Sequence, residues 1–548
     1  LASLFGKVDH LNKNTWWGRI NIQFENFLEA IKMIYGHILL WVLRHKRILF
    51  ACIFTLMAGS IWLIPGGFIG SSFLDSGDRG EISIKVEMST DMSLYQTNQM
   101  LKQAESIILK NKDVETLYTL VGTQTGGGGT TSTNAHWGQM DIVLKDKTKR
   151  EITTDEFGVL VRNEIESSIP GVKVTALPMN ITGSSNSPIQ IAIKGASLEN
   201  VKEAAEIVKK IVESTPGTDY VKYSTQSERK QIQIIPDRVK ISSMKLTIQE
   251  VSQMINIAFK GNDNIDLKEN DNEYAINIQM DDTNKLTVEN LRDMTLTNKE
   301  GRTIRLSQVA SIEETMVSSI LERTNRLPSI TINSAAVGRA SGTIVKEIKE
   351  KLIQSSLPTG VSIEYMGDQK RQEEAFSSLI FALGIGILLI YLIMVALYES
   401  LLYPFVVLFS IPVAIIGALL ALALTMNNLT TSSLCGLIML LGLVAKNGIL
   451  IVDFANHLKS KGLPLTQVLV EAGKERLRPI IMTTFAMILG MLPLALSQSP
   501  GSELKNGMAW IIIGGLTSSF FLTLLIVPCV YMVVDNLKTK FSHNKQHE

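Results

Sequence analysis

The sequence predicts a membrane α-helical bundle of six transmembrane helices, joined to α+β extracytoplasmic modules with ferredoxin-like βαβ repeats. Of the 548 residues, 45% are hydrophobic and only 19% are charged, so we expect a chain that is partly embedded in a membrane and partly water-soluble. Six apolar segments are long enough to cross a bilayer as helices. Between the first and the second of them, short alternating strand patterns exchange with amphipathic helix patterns.

The six apolar segments also predict an orientation. They lie at 48–64, 375–397, 401–424, 434–454, 479–496 and 507–534. Arg44, Lys46 and Arg47 precede the first segment, and the positive-inside rule places them in the cytoplasm. By alternation the basic segment 457–478 and the tail 536–548 are also cytoplasmic. Apolar residues recur at helical spacing within 24–38, which indicates an amphipathic helix on the cytoplasmic surface or, alternatively, a soluble helix packed on an absent domain.

Composition excludes several kinds of site. The net charge is +1, and no basic patch with interleaved aromatic residues indicates nucleic-acid binding. Cys52, Cys435 and Cys529 all lie in apolar segments, which excludes a disulfide framework and a CxxC metal site. The chain begins with Leu1 and its start does not resemble a signal peptide, so we expect it to be part of a longer polypeptide.

The extracytoplasmic segment contains a repeated unit. The strings ESSIPGVKV from Glu166, ESTPGTDYV from Glu213 and QSSLPTGVSIEY from Gln354 each end a predicted helix and begin a predicted strand through proline and glycine. This repetition predicts small modules with helices on one face of a sheet, interrupted by an insertion. The predicted parts are a surface helix (1–47), the first span (48–66), the first module (67–185), the second module (186–230 and 317–368), the insertion (231–316), five spans (369–535) and a tail (536–548).

Lys446 lies near the middle of the fourth apolar segment. Eleven residues separate it from His457, which is about 16 Å of helix. An ammonium at that depth is costly, so we expect it to face the bundle interior and to meet an anion. The five other segments contain no carboxylate at a matching depth, so the partner is expected outside this chain. A purely structural ion pair is the alternative interpretation.

Three long strings carry a family resemblance: AKNGILIVDFAN from Ala445, RLRPIIMTTFAMILGMLPLA from Arg476 and YESLLYPFVVLFSIPVAIIGALLALAL from Tyr398. Together with SSFLDSGDRG from Ser71, they make the whole chain similar to the C-terminal half of a resistance-nodulation-cell division (RND) transporter of the hydrophobe and amphiphile efflux branch. Members of this family have two similar halves, each with six spans and one large loop.

The resemblance implies proton-driven efflux of amphiphilic or hydrophobic compounds at the bacterial inner membrane, with no cofactor beyond the proton gradient. It implies that Lys446 pairs with two aspartates of an absent N-terminal half, and that Thr483 and Arg476 belong to the same proton relay. It further implies a homotrimer in contact with membrane lipids, a periplasmic adaptor, an outer-membrane channel, two porter modules and a docking or funnel insertion. Thr483 and Thr484 also fit a purely interhelical hydrogen-bonding role.

The resemblance implies a substrate path through the first module as well. The string VGTQTGGGGTTSTNAHWG from Val121 matches the family's switch loop, a mobile segment that contains Gly126, Gly127, Gly128 and Gly129. No P-loop lysine follows these glycines, which argues against phosphate binding. Tyr118, Thr123, Thr125 and Asp141 stand at positions that line the neighbouring pocket, so we expect a more polar pocket than one built for aromatic drugs.

Other functions remain open at this point. A lipid or surfactant exporter would have the same architecture. A heavy-metal exporter of the same family would use soft ligands such as Met92, Met140 and Met179, although methionine also fills the apolar segments. A membrane-anchored scaffold would not need a lysine in mid-bilayer, and an ATP-driven permease would need a P-loop. The sequence contains no nucleophile, base and orienter set that would indicate an enzyme.

The switch-loop assignment predicts a change in substrate range. Lengthening the segment 126–129, or replacing its glycines with stiffer residues, should alter which compounds are exported, because glycine adopts backbone conformations that other residues rarely reach. Efflux of one large and one small dye, measured side by side, checks this. Unchanged export of both dyes would contradict the assignment.

Overall fold

The structure, a computed structural model, describes residues 16–544 except 75–76, 90–91, 126–130, 180–186, 225–227, 270–271, 279–287, 299 and 319–320. The chain divides into two compact units. The first comprises Leu1–Tyr223 and Thr324–Glu548, and the second comprises Ser224–Arg323. The predicted insertion 231–316 falls inside the second unit.

Two apolar helices begin the described chain. Helix α1, Trp16–Arg44, packs along the bundle, where Tyr35 lies directly on Gly473 and donates a hydrogen bond of 2.8 Å to the Leu524 carbonyl. Its part Asn26–Arg44 is long and apolar enough to cross a membrane. Helix α2, Lys46–Trp62, has only 17 residues, fewer than the roughly twenty that span a bilayer core. By length and composition the first candidate span therefore lies in α1, which differs from the prediction at 48–64.

The described residues of the first module form a four-stranded sheet with two helices on one face. Its elements are β1 Glu81–Glu87, α3 Leu94–Ile108, β2 Val114–Thr125, β3 Thr131–Leu144, α4 Thr154–Ser168 and β4 Lys173–Pro178. The sheet order is β2-β3-β1-β4, and all neighbours are antiparallel. Along β1, Ile82, Ile84 and Val86 are buried under the helices, so the alternate residues from Ser83 to Glu87 point to the open face.

The second module begins with β5 Ile189–Gly195, α5 Leu198–Glu213 and β6 Thr218–Tyr223, after which the chain enters the second compact unit. The described residues of that unit form short helices and three antiparallel strand pairs, β7 with β12, β8 with β9 and β10 with β11. The elements are β7 Glu228–Pro236, α6 Arg238–Ser243, α7 Ile248–Lys260, β8 Asn262–Glu269, β9 Asn272–Ile278, α8 Val288–Arg292, β10 Thr295–Thr297, β11 Thr303–Arg305, α9 Leu306–Val309, β12 Ala310–Ser318 and, at its exit, β13 Glu322–Thr324.

The second module is completed by β14 Leu327–Ala336, α10 Ser341–Ile353 and β15 Val361–Met366. Strand β14 pairs with β6 on one side and with β5 on the other, and β5 pairs with β15, all antiparallel. The order β6-β14-β5-β15 therefore reproduces the order β2-β3-β1-β4 of the first module. The same arrangement occurs twice, and the second compact unit is inserted between the second and third strands of the second copy.

The helix-to-strand turn that recurs in the sequence is also present in the structure. Helices α4, α5 and α10 are followed by strands β4, β6 and β15, respectively. The turns contain Gly171, Gly217 and Gly360, whose φ angles are +80°, +91° and +79°. Because side chains disfavour this left-handed region, glycine is the residue that lets each helix end and turn into its strand.

The C-terminal part is a bundle of apolar helices. They are α11 Gly367–Tyr398, α12 Leu402–Leu408, α13 Ser410–Leu424, α14 Thr431–Lys459, α15 Leu465–Ala495 and α16 Glu503–Asn544. With the two short helices α12 and α13 taken as one span, and with α1, the described residues contain six candidate membrane spans. The third predicted segment is divided because Pro412 has no N–H to donate to the carbonyl of Leu408, and α12 ends at Leu408.

Helices α13 and α16 approach each other closely through small residues. A Cβ atom at Gly417 would collide with the carbonyl oxygen of Gly514 and with the side chain of Ser518. The Ser518 hydroxyl donates a hydrogen bond of 3.0 Å to the Val413 carbonyl across the same contact. Such contacts are important in a membrane, because lipid tails are as apolar as the side chains and the hydrophobic effect therefore does not drive helices together. Close packing and hydrogen bonds between helices stabilise their association instead.

The two largest apolar clusters among the described residues of the bundle lie at different depths. The proximal cluster includes Ile69, where the chain leaves the bundle for the first module, together with Val444 and Leu516. The distal cluster includes Ile451 and Ile480 and extends to residues of α1. Both clusters consist of side chains from several helices, so each one fixes the relative positions of those helices.

The glycine contact predicts a loss of stability. Gly417→Ala should destabilise the bundle by about 1–3 kcal/mol, because the added methyl group must push α16 away. Gly384→Ala is the matched control, since nothing lies within 4 Å of a Cβ atom at that position. Melting temperatures in detergent, compared by intrinsic fluorescence, check this prediction. Equal melting temperatures for the two variants would contradict the close contact.

Candidate functional site

Lys446 lies on an exposed stripe of α14. It is about 22 Å of helix from Thr431 and about 20 Å from Lys459, and is therefore near the middle of the helix. Met439, Gly442 and Asp453 share the stripe at intervals of three, four and seven residues. Within the described part of the chain, no carboxylate forms an ion pair with Lys446.

Arg476 and Thr483 lie on α15, which follows α14 after a short turn and returns beside it. The Arg476 guanidinium lies 4.7 Å over the ring of Phe454 on α14. Thr483 follows Arg476 by seven residues on α15, and Asn447 precedes Phe454 by seven residues on α14. Because the two helices run in opposite directions, Thr483 is level with Lys446 and Asn447. The Thr483 hydroxyl donates to a carbonyl of its own helix at 3.2 Å. The structure thus brings Lys446 and Thr483 to one depth and places Arg476 about 10 Å further along the bundle.

A connected polar network lies on the open face of the first module. Tyr118 on β2 is the cross-strand neighbour of Asp141 on β3. Asp141 accepts hydrogen bonds from the Ser83 hydroxyl at 2.6 Å and from the Gln139 amide at 2.9 Å. The oxygen of the Gln139 amide accepts a bond of 2.6 Å from the backbone N–H of Thr125. Gln139 therefore joins Thr125 to Asp141, and Ser83 adds a second hydrogen bond to Asp141. The sequence pattern predicts neither Ser83 nor Gln139 as a site residue.

The predicted switch loop is shorter than the sequence suggests. Strand β2 continues to Thr125 and β3 starts at Thr131, so most of the string from Val121 is a β-hairpin, which corrects the loop prediction. Thr123 pairs with Thr133 beyond a bulge in β2. The reason is composition, because β-branched threonines on both sides of the glycines favour strands. The glycine run lies outside the described residues: Gly126, Gly127, Gly128 and Gly129.

Charged side chains extend the open face toward the second module. The Lys222 ammonium on β6 lies 3.2 Å from the Glu87 carboxylate on β1. Burial and the neighbouring Lys222 ammonium lower the pKa of Lys85, against the opposing effect of Asp141 and Glu87. The face therefore presents charges of both signs. The signal in the sequence is the alternation of charged and apolar residues along β1, which places Lys85 and Glu87 on one side.

An ion pair joins the first module to the last helix of the bundle. Lys147 lies 2.9 Å from Glu503, the first residue of α16. Nearby, the buried Arg150 pairs with Asp78, which precedes β1. Although burial acts to raise it, hydrogen bonds from Thr154 and Arg150 hold the pKa of Asp78 below its ordinary value. The module is therefore held both at its entry and at α16.

A match to a family of known proteins covers nearly all of these elements. The model of the AcrB/AcrD/AcrF family matches residues 1–535. The chain belongs to this family. The resemblance to RND transporters that the sequence indicates is thereby confirmed, and the open-face network, the Lys446 stripe and the Lys147–Glu503 pair are features of an AcrB/AcrD/AcrF family member.

Individual relatives agree with this assignment. The swarming motility protein SwrC of Bacillus subtilis (strain 168) is 26% identical over 508 residues, which cover 92% of this chain and 47% of SwrC. The multidrug resistance protein MdtC of Klebsiella pneumoniae (strain 342) is 27% identical over 548 residues, which cover 99% of this chain and 52% of MdtC. The chain spans about half the length of these relatives. A crystal structure of a heavy metal efflux pump has the same fold over 93% of this chain and 52% of its own, with a TM-score of 0.78 and 21% identity.

The ion pair between Lys147 and Glu503 predicts that loss of its charge loosens the start of α16. Lys147→Gln should speed amide hydrogen exchange in the first turn of α16, because a partly exposed ion pair contributes about 0.2–1 kcal/mol, or as much as about fivefold in rate. Lys149→Gln is the matched control, since Lys149 pairs with Asp146 at 3.9 Å on the surface. Hydrogen exchange with mass spectrometry checks this.

The reversed pair, Lys147→Glu with Glu503→Lys, should restore slow exchange. Equal exchange rates in Lys147→Gln and Lys149→Gln would show that the ion pair does not hold α16.

Proposed function

We propose that this chain is the C-terminal half of a proton-driven RND efflux pump, a drug/proton antiporter that exports amphiphilic or hydrophobic compounds across the bacterial inner membrane. The proposal is supported by membership of the AcrB/AcrD/AcrF family and by a length about half that of the relatives. The observation that carries it is Lys446, a lysine at the middle of a membrane-length helix, on a stripe that the described residues leave exposed.

In this mechanism the exposed stripe of α14 faces a helix of an N-terminal half that carries paired aspartates. Desolvation raises the pKa of such carboxyl groups and the Lys446 ammonium lowers it, so movement of Lys446 changes their affinity for protons. Protonation of the aspartates releases Lys446, and deprotonation attracts it again. Thr483, at the same depth, passes protons to this site, and Arg476 lies at the cytoplasmic entrance.

The helix movement must then reach the extracytoplasmic modules. Lys147 and Glu503 provide a direct connection from α16 to the first module. We infer that the two modules are ferredoxin-like porter repeats in the periplasm and that residues 231–316 form a docking or funnel domain. In the assembly that we propose, three protomers combine with a periplasmic adaptor and an outer-membrane channel. Gly126, Gly127, Gly128 and Gly129 belong to the switch loop that controls access to the open face.

The open face supports a second candidate for the substrate. Lys85, Glu87, Asp141 and Lys222 favour a ligand with a charged or zwitterionic head group, as in an exporter of lipids or surfactants of the same family. The heavy-metal alternative has less support, because Met140 is fully buried in the core of the first module, where its thioether serves as packing.

The proton relay predicts that Lys446→Ala in the complete transporter abolishes dye export and leaves expression and assembly intact, because the aspartates lose the cation that adjusts their pKa. Lys461→Ala is the control, since Lys461 is an exposed lysine just beyond the end of α14. Ethidium efflux from cells, with the amount of membrane protein measured by immunoblot, checks this prediction. Export at the level of the Lys461→Ala variant would exclude the relay.

A further inference from the structure

Two buried polar side chains of the bundle have no hydrogen-bond partner among the described residues. Asn447, next to Lys446 on α14, is 1% exposed, and neither its amide nitrogen nor its amide oxygen is bonded. Thr484 on α15 is 0% exposed, and its hydroxyl is also unbonded. Because lipid offers no replacement for water, an unbonded polar group at this depth is costly. Both side chains therefore need a ligand that forms hydrogen bonds.

Helices α14 and α16 run parallel with a nearly constant offset. Leu440 lies on Gly515, and Asn456 accepts a hydrogen bond of 2.6 Å from Tyr531, a residue 75 positions later. The same offset holds at both contacts, one on each side of Asn447. Asn447 is therefore level with the turn of α16 that lies 75 residues further along the chain.

That turn of α16 is polar and buried. The hydroxyls of Ser519 and Thr523 are 3.0 Å apart, and both side chains are inaccessible to solvent. The ring centroids of Phe485 on α15 and Phe520 on α16 are 6.3 Å apart. Thr484 is therefore one residue from the point where α15 meets this turn. Four side chains from three helices thus lie at one level. We call them the buried polar layer: Asn447, Thr484, Ser519 and Thr523.

The buried polar layer lies between the proximal and the distal apolar cluster of the bundle. Val444 and Leu516, about one turn to one side of the layer, belong to the proximal cluster. Ile451 and Ile480, about one turn to the other side, belong to the distal cluster. Polar side chains between two apolar clusters do not improve packing, because an apolar side chain of similar size would be more favourable in the membrane interior than a hydroxyl or an amide.

We propose that the buried polar layer binds internal water. Water both donates and accepts hydrogen bonds, and the layer offers it one amide and three hydroxyls, within the two to four partners that a buried water needs. A helix of another polypeptide does not fit this role, because the helices of this chain already cover Asn447 and Thr484. A lipid head group does not fit either, because Asn447 lies midway along α14.

The layer has a consequence for Lys446, which precedes Asn447 and lies on the exposed stripe of the same turn of α14. Bound water lowers the cost of charge at this depth and gives protons a route through the interior of this half. This consequence rests on the proposed proton relay, whereas the presence of water in the layer does not.

Thiol labelling tests whether water is present. The full 548-residue chain is prepared in membrane vesicles with its three native cysteines, Cys52, Cys435 and Cys529, replaced by alanine. Single cysteines are then introduced as Asn447→Cys and Thr484→Cys, with Val444→Cys and Leu516→Cys as buried apolar controls. Methanethiosulfonate ethylammonium reacts with thiolates, which form where water is present. We expect labelling at least tenfold faster at the two polar positions than at the two controls.

Equal rates at all four positions would overturn the proposal, whether all are slow or all are fast. Each variant must keep the melting temperature of the cysteine-free parent, and the two polar positions lie on different helices, so one misfolded variant leaves the other as a test. The export measured for Lys446→Ala does not alter this labelling, so failure of the proton relay and failure of the hydrated layer are distinguishable.

Discussion

The cost of placing a polar group in hydrocarbon is the constraint on which the rest of the bundle depends. Helix formation avoids this cost for the backbone, because each N–H and C=O group is bonded within its own helix. Small residues such as Gly417 and Gly514 let neighbouring helices pack closely enough to exclude lipid. Lys446 and Asn447 are adjacent in sequence and meet this constraint in different ways. Lys446 is exposed in the described part of the chain, whereas Asn447 is enclosed by its helices. One turn of α14 therefore carries one polar side chain on an exposed face and another in the interior of the bundle.

Outside the membrane the organising constraint is the two-sidedness of a sheet. Helices cover the face that carries Ile82 and Ile84, which leaves the opposite face free for Asp141, Lys85 and their neighbours. Because the same strand order is used twice, each module has such a face, and Lys222 of the second reaches Glu87 of the first. The charged link at Glu503 then connects one of these modules to the membrane bundle.

Much of the fold follows from local pattern. Apolar runs predict α11 and α13 to α16, and the proline and glycine turns predict where α4, α5 and α10 end, because these signals act within a few residues. The first candidate span and the hairpin around Thr123 were not predicted. In both cases the same stretch is compatible with two structures. The residues of α1 fit either an amphipathic surface helix or a membrane span, and the glycine-rich string fits either a loop or a strand. Packing on other elements decides between them.

By itself the sequence determined the family, the apolar helices, the repeated module and the unusual depth of Lys446, since each of these depends on the order and spacing of residues along the chain. Only the tertiary structure decided which polar residues meet. The Gln139 amide joins Thr125 to Asp141, Ser83 bonds to Asp141 from the neighbouring strand, and Asn447 and Thr484 come level with α16 through contacts between helices. A hydrogen bond or a shared depth between distant segments is set by how the elements pack, and that information is absent from any local pattern.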